Sequence, residues 1–391
     1  MSGGEWRAYL GHTMSGARGT PLTVSAGTLT HTLNGHDELD ITFARSDLAG
    51  VDESWWQYLS GTVLVTYTDA SMEERIVSAC PITSAHPEED LENDTLTLQA
   101  KGVSWLLEPR VVLTKDYTAE DAADMRATNV AVSDRSFRAI AAEVVYRATD
   151  IKRSGHLPIV LPSRTERGDH ERTYEGFNVA NNGAWKRLQE LTEVIGGPDL
   201  QFRPEWADEE HTRFQWRLIV GTDAQQTLPQ TRSIQWDATS ARTDVSSVSV
   251  TSDATQLAHR VYATGAGEGA GITLAQADVA TIPQWMPLVE SVISDTDAED
   301  ETGTALLASK AKGALSDRSL DQVSLTVRAD PLRQPIGSWW CGELAQVTTG
   351  GLMSVPDGDH WLRLISCKYD LGSDVVDVEC QEDQLTEAYE W

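Results

Sequence analysis

The sequence predicts a mainly β protein, with two similar small β-barrels in tandem flanking an α+β middle domain. Three observations carry this. Ser338-Trp339-Trp340-Cys341-Gly342-Glu343-Leu344-Ala345-Gln346-Val347 has a counterpart near the other end, where Ser54-Trp55-Trp56 precedes Gly61-Thr62-Val63-Leu64-Val65. The likeness extends to flanking segments in the same order. Leu39 to Phe43 answers Val323 to Val327 at the offset relating the Trp pairs, Arg75 to Cys80 resembles Arg363 to Cys367, and Thr95 to Gln99 answers Val375 to Glu379. One β unit present twice is expected. Between the copies, the apolar period lengthens from that of a strand to that of a helix.

In chain order, Leu22 to Leu33 alternates as one or two strands broken at Gly27, and Asn34-Gly35 supplies a turn. Glu38 to Ala44 is a strand with Leu39, Ile41 and Phe43 on one face. Asp52 to Leu59 reads as a helical turn carrying the Trp pair, and Gly61 to Thr68 as a strand. Glu74 to Thr83 and Asn93 to Ala100 form a hairpin with a polar tip, His86 to Asp90. Short strands at this spacing suggest a small barrel, closed by Pro109.

From Thr118 the pattern changes. Asp134 to Thr149 places Phe137, Ile140, Val144 and Val145 on one helical stripe, with Ser133 as N-cap. Ile151 to Gly176 reads as a long polar loop. Asn182 then caps a helix with Trp185, Leu188, Leu191 and Ile195 inward, stopped by Gly196-Gly197. A hairpin follows: Leu200 to Arg203, a loop through Pro204 and Asp208, and Arg213 to Val220 with Phe214, Trp216 and Leu218 alternating. Ser247 to Val250 and Arg260 to Thr264 begin the second barrel, and Asp297 to Leu315 is a helix with acids in its first turn. The expected domains are 1–108, 109–232 and 233–385, with a helical insertion near 297–315 and a tail from 386 to 391.

The totals bound the function. The 391 residues exceed the size at which a single core stops growing. With 40% hydrophobic residues, 13 Trp and no low-complexity tract, the chain is expected to fold. No apolar run is long enough for a membrane span, and Met1 to Glu5 lacks a basic and then apolar leader. Cys80, Cys341, Cys367 and Cys380 are isolated, so buried free thiols are expected. A net charge of −29 argues against binding nucleic acid by phosphate neutralisation.

Several features together resemble the tail-hub (tail-associated, or minor tail) proteins of long-tailed bacteriophages, related in fold to the baseplate hubs of contractile phages and to type VI secretion spikes. They are the Ala184-Trp185…Leu188…Leu191 helix with its Gly196-Gly197 stop, the Phe202/Trp216 hairpin, Leu257 to Gly265, and Gly337 to Leu344 before a closing hairpin. The resemblance implies a homotrimer in the virion tail tip, each chain giving two similar barrels to a ring. Six quasi-equivalent positions would then match a hexameric tube. It implies contacts with the distal tail protein ring, the tape-measure protein and other minor tail or receptor-binding proteins. Phage DNA would pass without specific binding, which the acidic balance fits. The sequence ends after the second barrel, so peptidase, fibre or spike domains of larger members are expected on separate proteins.

Sharper readings compete with blander ones. Gly265 to Gly271 has a GxGxxG-like spacing but opens no apolar helix, so a flexible loop is preferred to a nucleotide site. Asp295, Asp297 and Glu299 suggest a calcium loop, yet Asp300 stands where Gly is needed and Leu306 where Glu belongs. His31, His36, Asp37 and Asp40 could be drawn as a metal cluster, His31 and His36 lying across Asn34-Gly35 where they could meet, though a plain turn is favoured. No HExxH or GxSxG occurs, and pairs among 60 acids carry little information, so no enzyme and no cofactor is expected. Trp55, Trp56, Trp339 and Trp340 repeat, which points to barrel packing or ring contacts rather than sugar stacking. Trp185, Leu188, Leu191, Phe202 and Trp216 are the expected middle core. The alternatives are a receptor- or glycan-binding or -degrading tail protein, and the hexameric distal tail protein, which has no need of an internal duplicate.

Overall fold

The computed structural model describes residues 4–89, 94–194, 196–239, 244–251, 258–267, 269–282, 286–295, 300–317, 322–329, 333–353 and 355–382. The protein is mainly β, as its alternating patterns predict. The first part of the chain gives β1 (Glu5–His12), β2 (Arg18–Leu22), β3 (Val24–Thr32), β4 (Glu38–Ala44), β5 (Gly61–Thr68), β6 (Glu74–Glu89) and β7 (Asp94–Lys101). The middle gives α1 (Ala122–Ala127), β8 (Val130–Arg135), α2 (Phe137–Ala148), β9 (Ile159–Val160), β10 (His170–Tyr174), α3 (Ala184–Thr192), β11 (Leu200–Trp206) and β12 (Phe214–Val220). The last part gives β13 (Ile234–Asp237), β14 (Val245–Thr251), β15 (Arg260–Thr264), β16 (Leu274–Asp278), β17 (Glu290–Ser294), α4 (Asp300–Asp317), β18 (Gln322–Arg328), β19 (Leu344–Thr349), β20 (Gly358–Asp370) and β21 (Val375–Glu382).

The repeat read from the sequence is a repeat of topology. The first copy is ordered β3-β4-β7-β6-β5 and the second β14-β18-β21-β20-β19. Registers coincide: Ile41 faces Leu98 as Leu325 faces Val378, and Phe43 faces Leu96 as Val327 faces Val376. The irregularities recur too. One lies between Val24 and Ala26 and again between Val245 and Ser247; another lies between Ile82 and Ser84 and again between Leu364 and Ser366. A bulge sets which residues turn inward, so its duplication keeps both apolar faces on the same side.

Two separate closed barrels do not form. Among the described strands, thirteen join one open sheet whose path runs from β14 through β21, β20, β3 and β7 to β2. The cause is the length of β20. One edge carries β19 along Gly358–Arg363 and then β3 along Ser366–Asp370, while β21 takes the other. The copies therefore share a core that includes Phe43, Val63, Leu98, Leu325, Trp339 and Val378. β5 is buried at every position because it is covered twice: Val63, Val65 and Tyr67 face that core, and Leu64 faces the middle part.

The β5–β6 turn is held by Asp69, whose carboxylate accepts from Ser71 N–H (2.8 Å), Ser71 Oγ (2.5 Å), Glu73 N–H (3.2 Å) and Arg75. Burial works to raise its pKa, but these donors outweigh it and hold the carboxyl down at about 2. A depressed folded pKa contributes stability that is present above the ordinary 3.8 and lost as pH falls toward about 2. Asp69→Asn is thus expected to melt below the wild type at pH 7, the gap closing between pH 4 and about 2. A gap unchanged across that range in melting curves would refute the assignment.

The middle part departs from expectation at its element ends. Ser136, not Ser133, caps α2, its Oγ accepting from Ala139 N–H at 3.1 Å, because residues 130–135 are already committed to β8. The expected loop 151–176 contains β9 and β10; β10 pairs with the distant β8, which local polarity does not reveal. Gly183 takes the N-cap position of α3 without a side-chain bond. Asn182 is buried instead, donating to Glu175 O (2.7 Å) and accepting from Arg187 (3.0 Å). β11 runs on through Pro204, tolerated because β11 is an edge strand.

β15 does not belong to the second copy. It pairs with β16 and β17 in a separate three-stranded sheet under α4, around Val261, Ala263, Ala277, Leu307 and Ala311. Ile195, Leu257, Asp297, Glu299 and the 383–391 tail lie outside the described residues.

Candidate functional site

Alternation leaves the outer face of the joined sheet polar across both copies. One row of facing residues runs Thr326, Asp377, Lys368, Thr30, Glu38 and Lys101, crossing β18, β21, β20, β3, β4 and β7 without a break at the junction. The next runs Asp370, Thr28, Asp40, Gln99 and Ser84. Hydroxyls bond facing residues of neighbouring strands: Thr326 Oγ1 donates to Asp377 at 2.9 Å, and Thr42 and Thr97 share a bond of 2.9 Å. Glu38, Asp40, Asp370, Asp377 and Glu379 are exposed here, against Lys101 and Lys368. The face is hydroxyl-rich and net acidic.

Behind it, the β3–β20 junction is keyed by buried polar groups from the middle part. Arg203 Nη1 lies 3.1 Å from Glu343 Oε1, with Glu343 fully buried. Thr231 Oγ1 is 2.9 Å from both carboxylate oxygens. Gln201 accepts from Arg203 Nε at 2.8 Å, and the guanidinium lies 5.5 Å from the Trp340 ring centre. Burial pushes the Glu343 pKa up and the Arg203 pKa down, each opposed but not cancelled by the partner. Asn34, in the left-handed region at φ 54°, donates to Asp199 (2.9 Å) and accepts from Leu200 N–H (2.8 Å). Asp199 also pairs with Arg363. The β3–β4 turn, the start of β11 and β20 are thus locked at one place.

Gly342 at φ 86° makes the turn into β19; a Cβ there would lie 2.7 Å from Leu228 Cδ1 and 2.9 Å from Leu33 Cδ1. Cys341 and Cys367 meet there with Sγ atoms 3.2 Å apart, and all four cysteines are free and buried.

The repeated Trp pairs have unequal surroundings. Trp339 is 1% exposed, edge-on to Trp236 at 5.6 Å, while Trp340 is half-buried beside His31 at 5.7 Å. Trp55 and Trp56 are half-buried, Trp55 lying edge-on to His12 at 6.1 Å. Trp185, Leu188, Leu191, Phe202 and Trp216 lie together in the core of the middle part, and Trp216 Nε1 donates to Ala79 O of β6 at 2.9 Å.

The four residues drawn as a metal cluster are not brought together. His31 is buried with Nδ1 3.0 Å from Asp37, His36 turns to Ser104 (2.8 Å) and Glu108 (3.0 Å), and Asp40 faces outward. Among the described residues no group of three His, Cys, Asp or Glu is placed to hold a metal ion. The Gly265 to Gly271 loop leads into strand β16, not a helix, so it lacks the helix N-terminus a dinucleotide would need. Sequence reasoning missed Arg203 and Glu343; Glu343 carries a local signal, a lone charge between Trp339-Trp340-Cys341 and Leu344-Ala345, while Arg203, two residues from Glu205, carries none.

The same overall fold occurs in solved structures of tail proteins. The chain is similar to a tail protein from Neisseria meningitidis, with TM-score 0.56, 14% identity, and 98% of both chains covered. It is similar to the 43 kDa tail protein of prophage MuSo2 from Shewanella oneidensis, with TM-score 0.55, 10% identity, and 96% and 98% covered. An Escherichia coli type VI secretion component, described as structurally similar to the T4 tail proteins gp27 and gp5, matches with TM-score 0.50 and 10% identity over 93% of this chain and 74% of its own. No protein-family model and no curated protein matches the sequence. No helix among the described residues is long and apolar enough to cross a membrane.

Proposed function

We propose that this protein is a structural hub of a bacteriophage tail tip, a homotrimer whose six sheet copies form a ring on a hexameric tail tube. The supporting observation is the duplicated strand order joined into one sheet with an unbroken acidic, hydroxyl-rich face. Three chains with two copies each offer six similar positions, so three-fold and six-fold rings can meet through like contacts. In this reading the acidic face lines the channel and repels DNA phosphates as they pass.

Charge is divided accordingly. Residues 109–232 hold 17 Lys and Arg against 19 Asp and Glu, while the rest of the chain holds 14 against 41. The near-neutral middle then faces protein neighbours: the distal tail ring, the tape-measure protein and other minor tail or receptor-binding proteins. The role is mechanical, with no catalytic step.

Light scattering over a range of concentrations tests this. A mass near three times 42.8 kDa is expected. A hexamer would instead fit the distal tail protein, and a monomer at every concentration would overturn the ring.

A further inference from the structure

The junction between the two copies has unfilled counterparts at two outer edges of the same chain. Ser84, Ala85 and His86 correspond to Ser366, Cys367 and Lys368, because Ser84 faces Gln99 as Ser366 faces Glu379, and Ala85 faces Leu98 as Cys367 faces Val378. Val250 corresponds to Leu29, facing Val323 as Leu29 faces Leu39, and Thr251 follows it as Thr30 follows Leu29. Inside the chain, β20 receives β3 on the edge that also carries β19. On β6 that edge carries β5 along Glu74–Pro81, and no described strand takes the remainder. β14, the counterpart of β3, has β18 on one side and no described strand on the other.

We propose that β14 of one copy pairs antiparallel with the His86–Glu88 edge of β6 in a second copy of this chain, in the register of the internal junction. Thr251 then stands opposite His86, as Thr30 stands opposite Lys368, and Val250 stands opposite Pro87, as Leu29 stands opposite Tyr369. The contact is head to tail: each copy offers one edge and accepts another, so successive copies close a ring or run on. Unpaired edges are templates for such addition. Pro87 offers no N–H where Tyr369 offers one, so this joint has one donor fewer than the internal junction and is the weaker of the two. The inference deepens the ring reading above and depends on it only for the number of copies.

The test is a His86→Cys/Thr251→Cys double variant, both positions being exposed and the four native cysteines buried. Directly opposed antiparallel residues are within disulfide reach. After mild oxidation, non-reducing electrophoresis is expected to show reductant-sensitive cross-links between copies. A His86→Cys/Ser249→Cys control, out of register, should cross-link about tenfold less. A mixture of the two single variants should give covalent dimers only. Cross-linking no better than the control, in a protein that light scattering shows to be trimeric, would overturn the joint and leave the trimer standing. An open-ended covalent ladder would support the joint and overturn closure at three copies. A monomer without cross-links would overturn both.

Discussion

Arg203→Ala is expected to destabilise the protein by about 3–5 kcal/mol, because it leaves a fully buried carboxylate without its cation. What remains around Glu343 is Thr231, through its hydroxyl and its backbone N–H. That is too little to stabilise a charge removed from water. The effect carries a sign in pH. The folded-state pKa of Glu343 already lies above its ordinary 4.5, through burial. Folded protein therefore holds this proton more tightly than unfolded protein, and ionising Glu343 costs stability as pH rises from 4.5 through the raised value. Without Arg203 the pKa rises further, so the gap from wild type is expected to be smallest near pH 4.5 and to widen toward neutrality. Arg203→Met combined with Glu343→Leu should lose less than Arg203→Ala alone, since no unpaired charge is buried. Denaturant midpoints at several pH values check this. A deficit independent of pH, or a double variant worse than the single one, would sink the account.

Trp339→Ala is expected to cost about 3–5 kcal/mol through the cavity it leaves, and with it the assembly of any ring. The side chain is 1% exposed, edge-on to Trp236 and tilted against Tyr369 at 6.3 Å, with Nε1 donating to Gln334 O at 3.4 Å. Its neighbours come from β13 and β20, two strands that do not pair with each other. Trp55→Ala, at the matching place in the first copy, should cost less than half as much because that indole is half-buried. Urea titration of the two variants decides the matter, and equal losses would show that burial does not set the difference.

The legible parts of the fold were those where a strand has one wet and one dry face. β4 and β5 fall on Glu38–Ala44 and Gly61–Thr68, the bounds that alternation and turn residues give. The repeat was legible because two copies under the same packing constraint keep the same apolar positions, down to Ile41 and Leu325. β10 was not, since a short polar strand is fixed by a partner some forty residues away. Arg203 and Glu343 lie on segments far apart in sequence, and neither segment alone reveals its partner.

The sequence by itself determined that this protein is mainly β, that one unit occurs twice around a helical middle, and that the surface is strongly acidic. These follow from side-chain period and charge, which each residue carries wherever it ends up. Only the tertiary structure decided that the copies join into one open sheet, that the acidic residues share a continuous face, and that Trp339 is fully buried while Trp55 is half-buried. Those outcomes depend on which edge of β20 meets β3, and edge pairing is set by backbone groups that are the same in every residue.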